Sequence, residues 1–262
     1  QKNSCSVDDI SSPSFIAPQY GQGVIRRERL ISMVSQVLKE KKSVYIYAPA
    51  GYGKSILLSQ VQEINKETET AWIDCERDCN EFKKFQRLLN AFTRKKYGYQ
   101  IPSDSPKELA NMLNNIVGIK SDNRLCLLID HSDNVDAGIQ AFLHEIICQN
   151  DKVHVVLAGT KFKFKKQKKL EAGGLLRIID YRALSFNADD IKAFFREVKN
   201  EGWAESPHSF YEAIMAISGG WPIVIGLLKE KIKKEGDCIA SVIGELQKLP
   251  KNELYDYLIE GY

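Results

Sequence analysis

The stretch Ala48-Pro49-Ala50-Gly51-Tyr52-Gly53-Lys54-Ser55 has residue types and a spacing suited to holding a phosphate. Two glycines let the backbone turn so that successive N–H groups converge on one anion, and a helix opening at Lys54 adds its positive N-terminus. In such a Walker A loop Lys54 reaches the β- and γ-phosphates of a nucleotide, while the Ser55 hydroxyl coordinates Mg²⁺. Pro49, Ala50, Tyr52 and Ile56 belong to the same turn and are counted with it as nucleotide-binding. The pattern departs from the strict form at Ala48, where a first glycine is usual. That residue closes a strand, and Gly51 and Gly53 remain, so the departure is tolerable. The plainer alternative, a glycine turn followed by a chance Lys-Ser, is opposed by the strand before it and the helix after it.

A magnesium ion held by Ser55 needs a carboxylate on its other side, at the end of a strand expected to lie beside the loop's own strand. Leu125 to Asp130 (LLID at its end) supplies Asp130, although a buried strand that merely ends in a turn aspartate reads the same way. His131 follows, where many hydrolytic ATPases place a second acid. A neutral imidazole can accept a proton from attacking water but supplies no fixed negative charge, so hydrolysis is expected to be slow. Asp133 replaces that acid only if the turn bends back toward the γ-phosphate. Beyond the strand Val153 to Ala158, Thr160 or Lys161 is a candidate γ-phosphate sensor, and a plain strand exit is an equal alternative. Lys161 to Lys169 carries six lysines, readable as a solvated face or as a contact for phosphate, acidic protein or nucleic acid.

The elements that must position these residues alternate. Arg26 to Lys39 is apolar at helical spacing, Ser43 to Ala48 is strand-like, Lys54 to Glu67 is helical, and Thr70 to Cys75 is a second strand. Asn80 to Lys96 and Ser105 to Val117 follow as helices, the latter with a Ser105 cap and Pro106 behind it. The unalternated runs Leu125 to Asp130 and Val153 to Ala158 suit strands of a parallel sheet buried on both faces, with Asn134 to Cys148 as the crossover helix. Leu176 to Leu184 reads as one more strand. After about Ser185 only helices remain: Asn187 to Lys199, Ser206 to Ser218, Pro222 to Lys234 and a weaker segment beyond Cys238. The fold class is therefore α/β, a parallel sheet sandwiched by helices with a small all-helical lid behind it. Residues 1–23, rich in Ser, Pro, Gly and Gln, read as a loosely ordered arm.

Composition sets the outer bounds. The chain's 262 residues suit one large domain with an appendage. Its 37 basic and 34 acidic residues leave a charge of +3, too balanced to attract nucleic acid or a membrane by its bulk field. Apolar runs fall far short of the ~20 residues of a membrane span. Six dispersed cysteines without a CxxC pair read as reduced thiols of a cytoplasmic protein, and Cys75 with Cys79 lacks the partners of a zinc site. The first twenty residues lack a signal pattern, and the chain opens on Gln, as a trimmed or renumbered sequence does.

Taken together, APAGYGKSILLSQ, the upstream VIRRERL, AWIDCERDCN, LLID and the later SGGWPIVIGLL resemble the STAND class of P-loop ATPases. More narrowly, residues 24–262 resemble the nucleotide-binding module of the large LuxR-type, maltose-regulator-like ATP-dependent transcriptional regulators. The resemblance implies that Ile25 and Arg27 lie against adenine and ribose, and that Pro222, with Trp221, closes over the base. A helix start with a buried Trp is the plainer reading of the last pair. It further implies ATP and ADP as ligands with Mg²⁺, a closed ADP-bound resting state, and self-association with ATP.

Three features depart from the family pattern: His131 replaces the second acid, Thr160 stands where Arg is frequent, and the winged-helix, sensor and DNA-binding regions are absent. Residues 252–262 resemble the opening of that winged-helix part. The expected division is thus 24–185 for nucleotide binding, 186–250 for the lid and 251–262 for the start of a further region; inducer and DNA belong to regions outside this sequence. The rival readings are an active STAND or AAA-like NTPase of defence or remodelling, and a module that keeps the fold without nucleotide. The intact Gly51-Gly53-Lys54-Ser55 loop opposes the second.

Overall fold

The structure, a computed structural model, describes residues 15–20, 23–64, 68–76, 80–121, 124–149, 151–161, 167–196, 207–235 and 244. The elements run α1 (Glu28–Lys39), β1 (Ser43–Tyr47), α2 (Lys54–Ile64), β2 (Glu69–Asp74), α3 (Phe82–Tyr97), α4 (Pro106–Lys120), β3 (Leu125–Asp130), α5 (Ala137–Gln149), β4 (Val153–Gly159), α6 (Gln167–Ala172), β5 (Leu176–Asp180), α7 (Tyr181–Leu184), α8 (Ala188–Phe194), α9 (Pro207–Ser218) and α10 (Pro222–Glu235). The expected winged-helix start, most of the arm and most of the lysine-rich stretch lie outside the described residues.

All five strands pair in parallel, in the order β2-β3-β4-β1-β5. Strands β3 and β4 are buried at every position, which is why their sequences show no alternation. Period-two geometry still sorts them. Leu125, Leu127 and Ile129 face the layer of α3, α4 and α5, whereas Cys126 and Leu128 face α1 and α2. Helices α8, α9 and α10 enclose a third apolar cluster built on Ile191, Phe195, Phe210, Ile214 and Leu228.

Two expectations are corrected. The strand bearing Asp130 does not adjoin the loop's strand, because β4 lies between β3 and β1. Hydropathy marks all three as buried and carries no information about their order. Nor does the last strand continue to Leu184. The Asp180 carboxylate accepts hydrogen bonds from the amides of Arg182 (3.1 Å) and Ala183 (3.4 Å), capping α7 and ending β5. The described residues Phe15 and Ala17 of the arm are bonded to the domain. The Phe15 carbonyl accepts from the Trp72 amide at 2.9 Å, and Gln62 brackets the segment through the Ala17 amide and the Phe15 carbonyl. Among the described residues no helix is long and apolar enough to cross a membrane.

His154, near the start of β4, is 2% exposed, and among the described residues neither ring nitrogen has a hydrogen-bond partner. Burial, helped by Arg124 and Lys41 and opposed by Asp151, pushes its pKa down to about 4. Since the unfolded chain takes up the proton first, this group's stability contribution is intact above its ordinary pKa of about 6.5 and is lost as pH falls toward 4, by about 3 kcal/mol in all. Chemical denaturation across pH 7 to 4 should therefore show a shallower loss of stability in His154→Phe than in wild type. Parallel pH profiles would contradict this account.

Candidate nucleotide site

Strand β1 delivers the loop and α2 receives it, with Gly51 (φ +77°) and Gly53 (φ +75°) in the left-handed region that makes the turn. Ala48 is fully buried, and its amide donates to the Gly159 carbonyl at 3.2 Å, so the residue in the place of the first glycine extends the pairing with β4. Lys54 Nζ lies 2.9 Å from the carbonyls of both Ala48 and Pro49. Burial lowers its pKa, against the raising influence of Asp130 and Asp133.

Two cavities meet at this loop and share Gly51, Gly53 and Ile56. One, of about 430 Å³, brings Lys54, Ser55, Asp130, His131, Asp133 and Thr160 together, with Tyr20 and Ala50 at its wall. Asp130 reaches it despite the intervening β4 because parallel strands end their carboxyl termini on one rim. The other, of about 630 Å³, has apolar walls from Val24, Ile25, Phe186, Pro222 and Ile223. A polar pocket and an apolar one on either side of a phosphate loop match the two ends of a nucleotide.

Ser55 and Asp130 offer a hydroxyl and a carboxylate to the polar cavity. Among the described residues no three His, Cys, Asp or Glu side chains form a metal cage. Magnesium fits that donor set, since it is commonly held by one or two carboxylates together with phosphates.

Arg27, Trp221 and Lys161 also have partners within the protein. Arg27 lines the apolar cavity. Its guanidinium is buried 3.0 Å from the Leu184 carbonyl and 3.3 Å from Asp190, over the Phe186 ring at 4.6 Å. Burial lowers its pKa and Asp190 raises it. Trp221 is not in the wall of that cavity. Its Nε1 donates to the Ala50 carbonyl at 3.1 Å, and its ring stacks on Tyr52 with centroids 6.0 Å apart. Lys161 turns its amide to Asp133 and its carbonyl to the Tyr45 hydroxyl.

His131 sits in the left-handed region at φ 52°. Its Nδ1 is 2.9 Å from Asp74 and its Nε2 3.3 Å from Glu76. Burial pulls its pKa down, but Asp130, the Asp74 hydrogen bond and the charges of Asp74 and Glu76 outweigh this, and the net shift is upward. Both ring nitrogens thus face carboxylates.

Sequence reasoning missed Gln60, Asp74 and Glu76. Gln60 takes the Arg27 amide at 3.0 Å and gives to the Ile25 carbonyl at 2.8 Å, fixing the segment that walls the apolar cavity. No sequence signal marks Asp74 or the nearby Glu76, because Asp74 comes opposite Asp130 only through the pairing of β2 with β3. That pairing is a fact of strand order.

The profile of the family described as AAA domain matches residues 37–167, half of the chain. The serine/threonine-protein kinase PknK of Mycobacterium tuberculosis is 24% identical over 248 residues, covering 87% of this chain and 22% of the kinase. The Mycobacterium bovis PknK gives the same figures. The chain therefore spans about a fifth of the length of these curated relatives. Among solved structures, a STAND protein with a tetratricopeptide repeat sensor from Pyrococcus horikoshii superposes with a TM-score of 0.60 at 14% identity, over 96% of this chain and 34% of that one. A Walker-type ATPase of Pyrococcus abyssi gives 0.55 at 15%, over 91% and 74%. At such identities the likeness is one of fold.

A Cβ on Gly51 would stand 2.5 Å from Ile223 Cγ2, whereas one on Gly53 would meet nothing within 4 Å. Both substitutions carry left-handed strain of about 1–2 kcal/mol. Gly51→Ala adds overpacking of about 1–3 kcal/mol against α10. Urea unfolding should rank Gly51→Ala as the less stable of the two; equal or reversed losses would show that the loop and α10 are not in close contact.

Proposed function

The chain belongs to the AAA-domain family, and from that premise we propose that it is the nucleotide switch module of a signal-responsive transcriptional regulator of the LuxR type. In this reading it binds ATP and ADP with Mg²⁺, hydrolyses ATP slowly and drives self-association of the larger protein in the ATP state. Lys54 and the loop amides hold the phosphates, Ser55 and Asp130 hold the metal, and Ile25, Ile56 and Pro222 contact the base. Residues 24–185 form the nucleotide-binding domain and 186–250 the lid.

The observation that carries the switch is the direct bonding of the loop to α10. The Ala50 carbonyl accepts from Trp221 Nε1 and the Gly51 carbonyl from the Ile223 amide, each at 3.1 Å. The peptide units that must orient around a phosphate are therefore the ones that hold the lid. A switch requires ATP and ADP to differ in affinity for two conformations, and a shared loop gives the terminal phosphate a route to the lid. Slow hydrolysis is supported by His131, held between Asp74 and Glu76 where a second acid is usual.

The regulator subtype is supported by the residues VIRRERL and SGGWPIVIGLL. A place inside a larger signalling protein is supported by the kinase relatives, of which the chain matches 22%. Inducer and DNA would be bound by other regions of that protein.

Equilibrium titration with Mg-ADP and Mg-ATP tests the nucleotide reading. Lys54→Ala removes a charge-assisted contact to phosphate and should weaken both affinities at least about tenfold. Equal binding by wild type and variant would contradict it.

A further inference from the structure

The turn after β3 is bonded to the turn after β4 by an unusually complete set of contacts, centred on one carboxylate. Asp133 accepts from the Thr160 amide at 2.6 Å, from the Thr160 hydroxyl at 2.7 Å and from the Lys161 amide at 3.0 Å. The Ser132 hydroxyl donates to the Ala158 carbonyl at 2.8 Å, and the Tyr45 hydroxyl to the Lys161 carbonyl at 2.7 Å. Gly159 completes the fit, since a Cβ there would collide with the Asp133 carboxylate and the Tyr45 hydroxyl. Neither turn can shift without breaking several of these contacts.

The location gives the arrangement a function. A nucleotide with its base between Ile25 and Pro222 crosses the loop at Gly51 and Gly53, and its terminal phosphate points to the far end of the polar cavity. That cavity is lined by Asp130, His131, Asp133 and Thr160. Lys54 is the one lysine or arginine among the described residues that line this cavity. Asp130 is offset by the metal it would hold; the three hydrogen-bond donors to Asp133 among the described residues are all neutral, so Lys54, which also faces Asp130, is the cation of this cavity that its charge acts on. The Thr160 hydroxyl, which has a single proton to give, gives it to Asp133.

We propose that Asp133 sets nucleotide preference at this site: it turns the Thr160 proton away from the ligand and fixes a negative charge at the terminal-phosphate end, so that ADP binds more tightly than ATP. The inference rests on the nucleotide-switch reading and supplies the difference in affinity that the switch needs. Thr160 is then a positioning partner of Asp133, and the γ-phosphate is disfavoured by charge.

The test is calorimetric titration of the whole chain with Mg-ADP and Mg-ATP, scored as the ratio of the two affinities, which a general loosening of the fold does not move. Wild type should favour ADP. Asp133→Asn and Asp133→Ser, which remove the charge in two different ways, should each raise the ATP-to-ADP affinity ratio about tenfold, the effect of ~1.4 kcal/mol. Asp133→Glu, which keeps the charge, should stay near the wild-type ratio. An unchanged or lowered ratio in the two neutral variants would overturn the inference while leaving nucleotide binding intact. Failure of wild type to bind either nucleotide would instead overturn the switch reading, and this inference with it.

Discussion

The peptide units of Ala50 and Gly51 face two ways, and the site depends on that fact. A loop that turns its N–H groups toward an anion must turn carbonyls elsewhere, where they are open to other donors. Here the donors are Trp221 Nε1 and the Ile223 amide at the start of α10. Gly51 makes the approach sterically feasible, because any Cβ there would meet Ile223. The stacking of Tyr52 on Trp221 covers the junction. Phosphate cradle and helical segment are thus two faces of one short stretch of backbone.

Around that stretch the sheet does the positioning. Its carboxyl edge brings the ends of β1, β3 and β4 to one rim, so Lys54, Asp130 and Thr160 converge although their strands are not all neighbours. A second set of contacts, Asp133 with Thr160 and Ser132 with Ala158, fastens the far wall. A third fixes the apolar end, where Gln60 holds Ile25 and Arg27 while the Arg27 guanidinium reaches Leu184 and Asp190. Chain segments far apart in sequence are joined at a few polar side chains, nearly all of them buried or half-buried.

Much of this was legible in the residues. The loop, the buried strands and the helices after Ser185 follow from glycine spacing and apolar periodicity, which report local geometry. Strand order does not, and so β4 between β1 and β3 went unseen, and with it the pairing of Asp74 with Asp130. Trp221 and Arg27 show the same limit at the level of side chains. Their types suit contact with a base, and no spacing announces that the indole also meets a loop carbonyl and the guanidinium Leu184 and Asp190. Asp180 was read within a strand running to Leu184, because its capping of α7 depends on the amides of Arg182 and Ala183 reaching its carboxylate. What periodicity cannot report is which buried polar group finds which partner.

The central claim is that the loop and the start of α10 respond to nucleotide as one unit. Residue-resolved hydrogen exchange at the Ile223 amide, with and without Mg-ADP, tests it most directly. If the loop carbonyls couple the two faces, protection of Ile223 rises together with that of the Gly51 to Ser55 amides. Protection of the loop amides with no change at Ile223 would contradict the coupling.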